Sequence, residues 1–421
     1  MSANPTATRS SLDFAFVYAA YCLRYVYLLV LIPFYGRVLG MEGYAVVLSA
    51  LSLMNLVWIF NNWGLAPAGT RAIATASAPG QQSDIFGAQF SARLLLTLLV
   101  VPGALVAIQL SPLLAANRWA AWAAMALGVV SAFNLGWYYT GTHRPRTTVR
   151  LEVIGFVINL SLILALVRSP SDADLAVFLM LLSALTVSVI AYWSCRGEFR
   201  LDRLIQWRAG LQLIRSSGYL FLYISNAIFV GAALTYLLGL YASADMVGAY
   251  GAADRLVAAG ISIMTPMGHI FIPKITALFA THRDGAYRLS RRVGALLLLV
   301  ATLGAAVSHW FAQPIVSLIF GPGFEQTAAL LQVMSVVFPI NAAIIVLGAY
   351  LFIPQHQERT LAAVVITGSA IGIGALVLMG NTYQAMGAAY ARITGDAITL
   401  ALLLAFAWKN GILQQLLSPR R

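Results

Sequence analysis

Charge is scarce in this sequence. Asp, Glu, Lys and Arg make up 10% of its 421 residues, where a soluble domain carries about 25%. So few charges cannot cover a water-facing surface, which excludes a soluble enzyme as the default. Cysteine is nearly absent: Cys22 and Cys195 are the two present, too few for a disulfide framework or a metal site. The sequence has no HExxH, no paired-carboxylate loop and no phosphate-cradling glycine loop. It therefore calls for no catalytic residue, no metal and no cofactor, and leaves an ion or proton gradient as a driving force. Acidic residues are the scarcer sign, 14 against 26 basic, for a net charge of +12. No basic segment outside the apolar runs carries interleaved aromatics, so nucleic acid is not the expected partner.

What the chain has in abundance is apolar residue, 60% of the total, with a mean hydropathy of +0.83. That is enough for roughly twelve spans of about 21 residues each. The apolar runs place the first six near 12–36, 43–65, 90–110, 119–139, 149–168 and 173–194. The second six fall near 216–241, 246–276, 292–320, 327–352, 359–379 and 384–408. The first run contains Arg24 and no small-residue cleavage site, so it reads as a retained helix rather than a removed leader. The expected fold is all-α, a polytopic membrane protein.

Orientation follows from the loop cations. With the N-terminus in the cytosol, twenty Lys and Arg residues fall on the cytosolic side, Arg71, Arg93, Arg144 and the run Arg196–Arg215 among them. Arg37, Arg118 and Arg168 fall opposite, and Arg24, Arg255 and Arg392 lie within helices. Both termini are expected in the cytosol.

The basic segment 196–215 divides the spans into residues 1–195 and 216–421, six helices each. The halves echo one another: GMEGYAVVLSAL (Gly40–Leu51) and DMVGAYGAADRL (Asp245–Leu256) open equivalent helices. GWYYTGTHRPRTTVRLEVI (Gly136–Ile154) and GAYLFIPQHQERTLAAVVI (Gly348–Ile366) both join two spans. Six helices per half makes the repeats parallel, and two such lobes facing a central cavity is a transporter layout.

An ionised side chain at mid-bilayer costs about 2.5–3.5 kcal/mol on insertion scales, so it faces a wet cavity or a partner. Arg24 sits mid-helix, with Tyr21 at the edge of its stripe and no acid close along the same helix; a cationic centre of this kind suits an anionic ligand. Asp254 and Arg255 are adjacent, hence about 100° apart on a helix, and cannot both address one point. Arg392 and Asp396 are four apart and meet on one face, as a functional pair or as an intrahelical ion pair that lowers insertion cost. Glu152 shares a stripe with Asn159 near a helix end. Asn55 and Asn62, Asn134, and Tyr223 with Asn226 lie on mixed amide, hydroxyl and aromatic stripes of the kind that bind sugars; the same residues also serve as interhelical glue.

The segment RYVYLLVLIPFYGRVLGMEGYAVVLSALSLMNLVWIFNNWGLAPAGTRAIA (Arg24–Ala74) resembles the opening of bacterial polysaccharide repeat-unit flippases, the Wzx-like oligosaccharide transporters. Their G-T-R-E-like exit from the second helix is here Gly69, Thr70, Arg71 and Ala72, so the acidic position is lost. FNLGWYYTGTHRPRTT (Phe133–Thr148) is similar to the family's N-P-x-W-x-x-x-G-x-x-K segment, with Gly136 in place of the proline and Arg144 in place of the lysine. VGAYGAADRLVAAGISIMTPMGHIFIPKIT (Val247–Thr276) resembles its eighth-helix segment.

The resemblance implies membership of the multidrug/oligosaccharidyl-lipid/polysaccharide exporter superfamily. It further implies an undecaprenyl-pyrophosphate-linked oligosaccharide as substrate, moved from the cytosolic to the periplasmic leaflet of the inner membrane by alternating access. In that frame Arg24, Arg255 and Arg392 hold the pyrophosphate. Tyr21, Asn55, Asn62, Asn134, Tyr223 and Asn226 meet the sugars, and Asp254, Asp396 and Glu152 couple transport to an ion or proton. A polysaccharide polymerase and a chain-length regulator are the implied protein partners. The rival readings are a cation-coupled multidrug antiporter, which would favour acidic residues, and a lipid II flippase, which usually has fourteen helices. A membrane-embedded polysaccharide polymerase is the rival from another class; short loops and the lack of a carboxylate cluster argue against it.

Overall fold

A computed structural model describes residues 5–76 and 80–417, with the backbone alone for 5–29, 201, 219–220, 222–225, 227, 265–266, 269 and 417. The described residues are helical and contain no strand. In chain order the α-helices begin with α1 (Pro5–Asn62), α2 (Leu65–Ala74), α3 (Gln81–Leu110), α4 (Pro112–Ala116), α5 (Arg118–Ala132) and α6 (Gly136–Gly141). They continue with α7 (Pro145–Leu166), α8 (Ala173–Cys195), α9 (Trp207–Tyr241), α10 (Ala244–Ser262), α11 (Thr265–Thr281) and α12 (Arg283–Trp310). The last are α13 (Ala312–Phe320), α14 (Glu325–Met334), α15 (Val337–Leu347), α16 (Glu358–Lys409) and α17 (Ile412–Leu417).

Every apolar segment expected from the sequence lies on helix. Eight helical stretches are long and apolar enough to cross a membrane. Two further apolar stretches, Ile228–Tyr241 within α9 and Ile270–Thr281 within α11, overlap the expected segments 216–241 and 246–276. The chain is a multi-pass membrane protein. Two elements hold two expected spans each. The 58-residue α1 breaks at Gly40, where φ is 66°; a side chain is disfavoured there by the dihedral alone, since nothing lies within 4 Å of a Cβ position. The 52-residue α16 breaks at Gln384 (φ 46°, ψ −122°).

At Gln384 α16 folds back on itself, and its two arms meet through glycines. A Cβ on Gly368 would stand 2.7 Å from the Gly395 carbonyl oxygen, and one on Gly395 would stand 3.0 Å from the Gly368 oxygen. Gly372 faces Ala391 and Gly395 in the same way. Small residues four apart let helix backbones approach closely where lipid supplies no hydrophobic drive between them.

By contact the chain divides into two units, Met1–Ala232 and Ala233–Arg421. In the first, α5 stops at Ala132 and α6 restarts at Gly136, with the Asn134 side chain accepting the Gly136 N–H at 2.6 Å. Phe86, Trp137, Tyr138, Tyr139, Val187 and Cys195 form the core beneath this joint. The basic segment after α8 packs along α3: Phe199 stacks on Phe86 at 3.6 Å, Arg203 pairs with Asp84 at 2.7 Å, and the Gln206 N–H donates to the Ser91 hydroxyl at 2.7 Å.

In the second unit the equivalent sequence, Gly348–Phe352, is a π-turn followed by a 3₁₀ turn over Ile353–Gln355. Both joints end at a histidine in the left-handed region, His143 at φ 59° and His356 at φ 58°. The sequence echo thus corresponds to one distorted helix joint built twice.

Candidate functional site

In the C-terminal unit one cation and two carboxylates meet between two helices. Helix α10 supplies Asp254, and the second arm of α16 supplies Arg392 and Asp396 one turn apart. The Arg392 Nε donates to Asp396 Oδ2 at 3.0 Å, and its Nη1 lies 3.6 Å from Asp254 Oδ1. All three side chains are shielded, 17% exposed for Arg392 and 20% for each carboxylate. The Tyr250 hydroxyl, one turn before Asp254, is fully buried and has no hydrogen-bond partner among the described residues. Arg255 points elsewhere: it is half-buried and makes no hydrogen bond or ion pair with the described residues. Of the adjacent pair, Asp254 is the member tied to a neighbouring helix.

Two carboxylates share one guanidinium here. Fully ionised, the cluster carries one uncompensated negative charge in surroundings where charge is expensive. The two carboxylates make Arg392 a bound cation rather than a free one.

The N-terminal unit carries a buried cation of its own. Arg93, counted among the cytosolic loop charges from the sequence, lies inside α3 with 2% of its surface exposed. Its Nε donates to the Ala132 carbonyl at 2.6 Å, and its Nη1 donates to Gln89 Oε1 at 2.6 Å and to the Gln89 carbonyl at 3.1 Å. The guanidinium stands 5.5 Å from the Trp137 ring centroid. Ala132 ends α5, so its carbonyl lacks a helical partner, and Arg93 satisfies it. One turn on, Thr97 exchanges hydrogen bonds with the buried Asn61 at 2.9 and 3.1 Å. Neither Arg93 nor Asn61 was singled out by sequence. A charge in the second turn of an apolar run looks interfacial, and Asn61 hides beside Asn62 until the helix phase is known.

The remaining expected residues are dispersed. Asn55 and Asn62 are half-buried on α1 and hydrogen-bond no described residue. Asn134 is exposed, its amide oxygen committed to the α5–α6 joint. Asn226 is half-buried on α9, and Glu152 is exposed on α7. The side chains of Arg24, Tyr21 and Tyr223 lie outside the described residues.

A third charged group ties the start of α7 to the segment after α8. Glu198 receives Arg144 on both oxygens, at 2.8 and 2.6 Å, and the buried Tyr138 hydroxyl at 2.5 Å. The hydrogen bond from Arg144 holds the Glu198 carboxyl below its ordinary range, and the same bond raises Arg144.

Residues 13–279 match the family model described as "Polysaccharide biosynthesis protein". The chain belongs to this family. Within the polysaccharide biosynthesis protein family it is 23% identical, over 82% of its length and 87% of the relative's, to a Shigella dysenteriae protein named as a candidate O-antigen transporter. An Escherichia coli K12 protein of the same name is 18% identical over 92% and 94% of the two chains. Among solved structures, the lipid II flippase MurJ in an inward closed conformation superposes with a TM-score of 0.72 at 11% identity, over 94% of this chain and 87% of that one. The eukaryotic MATE transporter AtDTX14 gives 0.54 at 13% identity, over 95% and 96%. At these identities the likeness is one of fold.

Proposed function

We propose that this family member is a flippase that moves an undecaprenyl-pyrophosphate-linked oligosaccharide from the cytosolic to the periplasmic leaflet of the bacterial inner membrane by alternating access. The reading rests on the family match together with two relatives named for O-antigen transport over most of their length. A half-buried cation without a hydrogen-bond or ion-pair partner supports a pyrophosphate reading, and Arg255 on α10 is one such cation among the described residues of its unit. Arg24 is the second cation assigned to the pyrophosphate. Arg392, clasped by Asp254 and Asp396, joins them when those carboxylates are neutralised.

That condition gives a route to coupling. A proton or small cation arriving at Asp254 or Asp396 removes the excess negative charge and loosens the hold on Arg392, which then becomes available to an anion. Glu152, at the outer surface of its helix, is the further coupling candidate. Asn55, Asn62, Asn134, Tyr21, Tyr223 and Asn226 are assigned to sugar contacts. The chain acts as a secondary transporter rather than an enzyme and needs no cofactor beyond an ion or proton gradient. Both termini lie in the cytosol, and a polysaccharide polymerase and chain-length regulator are its working partners.

The test uses proteoliposomes containing a polyprenyl-pyrophosphate oligosaccharide, with leaflet exposure read by an external sugar-cleaving enzyme, with and without an imposed proton gradient. Gradient-stimulated exposure of the sugar supports the reading, and Asp254→Asn should abolish the stimulation while basal exposure persists. Absence of exposure, alongside gradient-driven efflux of a cationic dye, would assign the chain to the drug antiporters.

A further inference from the structure

The buried cation of the N-terminal unit has no counter-charge. Arg93 lies well inside α3, a helix long and apolar enough to cross a membrane, and is almost wholly buried. Its hydrogen bonds reach the Ala132 carbonyl, the Gln89 carbonyl and the Gln89 side-chain oxygen. All of these acceptors are neutral, and Arg93 forms no ion pair among the described residues. Its Nη2 is buried and has no hydrogen-bond partner among them. Two costs therefore meet at one group: an ion left uncompensated in a low-dielectric interior and a buried donor left unsatisfied.

The same guanidinium borders a void of about 10 Å³, lined otherwise by Phe86, Phe90, Phe133, Leu135, Trp137 and Tyr192. None of these is acidic. The Tyr192 hydroxyl donates to the Phe133 carbonyl at 3.1 Å, so it brings no negative charge to Arg93. Phe90 and Phe133 meet edge to face with centroids 5.4 Å apart. Aromatic rings carry partial positive charge along their edges, so this lining tolerates an anion better than a second cation. The void has room for one occupant about the size of a water. A carboxylate, a sulfate or a phosphate is too large for it.

A water in this void would satisfy Nη2 and leave the charge in place, whereas a monatomic anion answers both. We propose that the void holds a single halide ion, chloride in ordinary salt, against Nη2 of Arg93. The site is too small for a pyrophosphate and does not depend on the substrate reading above. It has a structural consequence. Arg93 also carries the carbonyl left over where α5 stops at Ala132, so the ion strengthens the hold of α3 on the α5–α6 joint and makes the stability of the N-terminal unit halide-dependent.

The experiment melts the full-length protein in one detergent at fixed ionic strength while chloride or bromide replaces gluconate. The midpoint should rise along a saturating single-site curve, by about 2–4 °C once the halide exceeds its dissociation constant about fivefold. Gln89→Glu puts a carboxylate oxygen where an amide oxygen stands 2.6 Å from Arg93 Nη1, at the loss of the Gln89 Nε2 bond to the Leu65 carbonyl. It supplies the missing charge within the chain, so the halide response should vanish whatever its own midpoint. Arg93→Met should lose the response too, and serves if Gln89→Glu fails to fold. General salt effects are shared by all three proteins and cancel in the comparison. Crystals of the unaltered protein grown in bromide should show an anomalous peak beside Arg93 Nη2. No saturating rise in the unaltered protein, the same rise in the variants, or water density without an anomalous peak beside Arg93 would overturn the proposal.

Discussion

Removing the Arg392 guanidinium should destabilise the protein far more than removing either carboxylate it serves. Arg392 holds Asp396 at 3.0 Å and Asp254 at 3.6 Å, with all three side chains no more than 20% exposed. In Arg392→Met two shielded carboxylates face each other without a cation. Leaving one buried charge uncompensated costs about 3–5 kcal/mol, and the second carboxylate places this variant at the upper end. Asp254→Asn is milder, because Arg392 keeps its shorter bond to Asp396 and the cluster becomes neutral; its cost should be about 1 kcal/mol or less. The triple variant Arg392→Met/Asp254→Asn/Asp396→Asn removes all charge and should recover to within about 1–2 kcal/mol of wild type. Thermal and denaturant unfolding in one detergent, followed by size-exclusion chromatography, would rank the four proteins. A single Arg392→Met variant as stable as wild type, or a triple variant no better than the single, would refute the picture of one cation balancing two acids.

Other expectations follow from the same structure. The Glu198 carboxyl is held below its ordinary range by Arg144. Its contribution is therefore present above the unfolded carboxyl pKa, about 4.3, and lost as pH falls through the lower folded value. Glu198→Gln should flatten that acid-side loss in a pH series of melting curves, with a cost near neutrality of about 1 kcal/mol or less because the pair is partly exposed. Arg93→Met strands the buried Gln89 side-chain oxygen and the Ala132 carbonyl, at about 1–3 kcal/mol for each unsatisfied group. It should also raise proteolysis at 133–135. Gly368→Val pushes a side chain into the Gly395 carbonyl and should cost about 1–3 kcal/mol by overpacking, read as loss of monodisperse protein at a lower temperature.

Much of this was legible in the sequence because the bilayer imposes it. Apolar runs became helices nearly where the hydropathy put them, and the i,i+4 spacing of Arg392 and Asp396 was enough to foresee their contact. Asp254 stood out as a charge inside a helix, but its partner did not: it lies on a different helix and joins the pair only through the packing of α10 on α16. Arg93 was misplaced because sequence alone puts a charge near the start of an apolar run at the membrane surface. What draws it inward is a carbonyl left over where α5 breaks at Ala132 and a glutamine one turn back on α3. The repeated joint was visible as a faint echo of residues, and its substance is geometric, a distorted turn closed by a left-handed histidine in each unit.

The central claim is that this chain moves a pyrophosphate-linked oligosaccharide across the bilayer with Arg255 as a cation for the pyrophosphate. The direct measurement is the initial rate of sugar exposure in proteoliposomes for wild type, Arg255→Ala and Arg255→Lys, each shown folded by its melting curve. Wild type should expose the sugar, Arg255→Ala should be slowed about tenfold or more by loss of a charge-assisted contact, and Arg255→Lys should recover part of the rate. Exposure at the wild-type rate in folded Arg255→Ala, or none in wild type, would contradict the account.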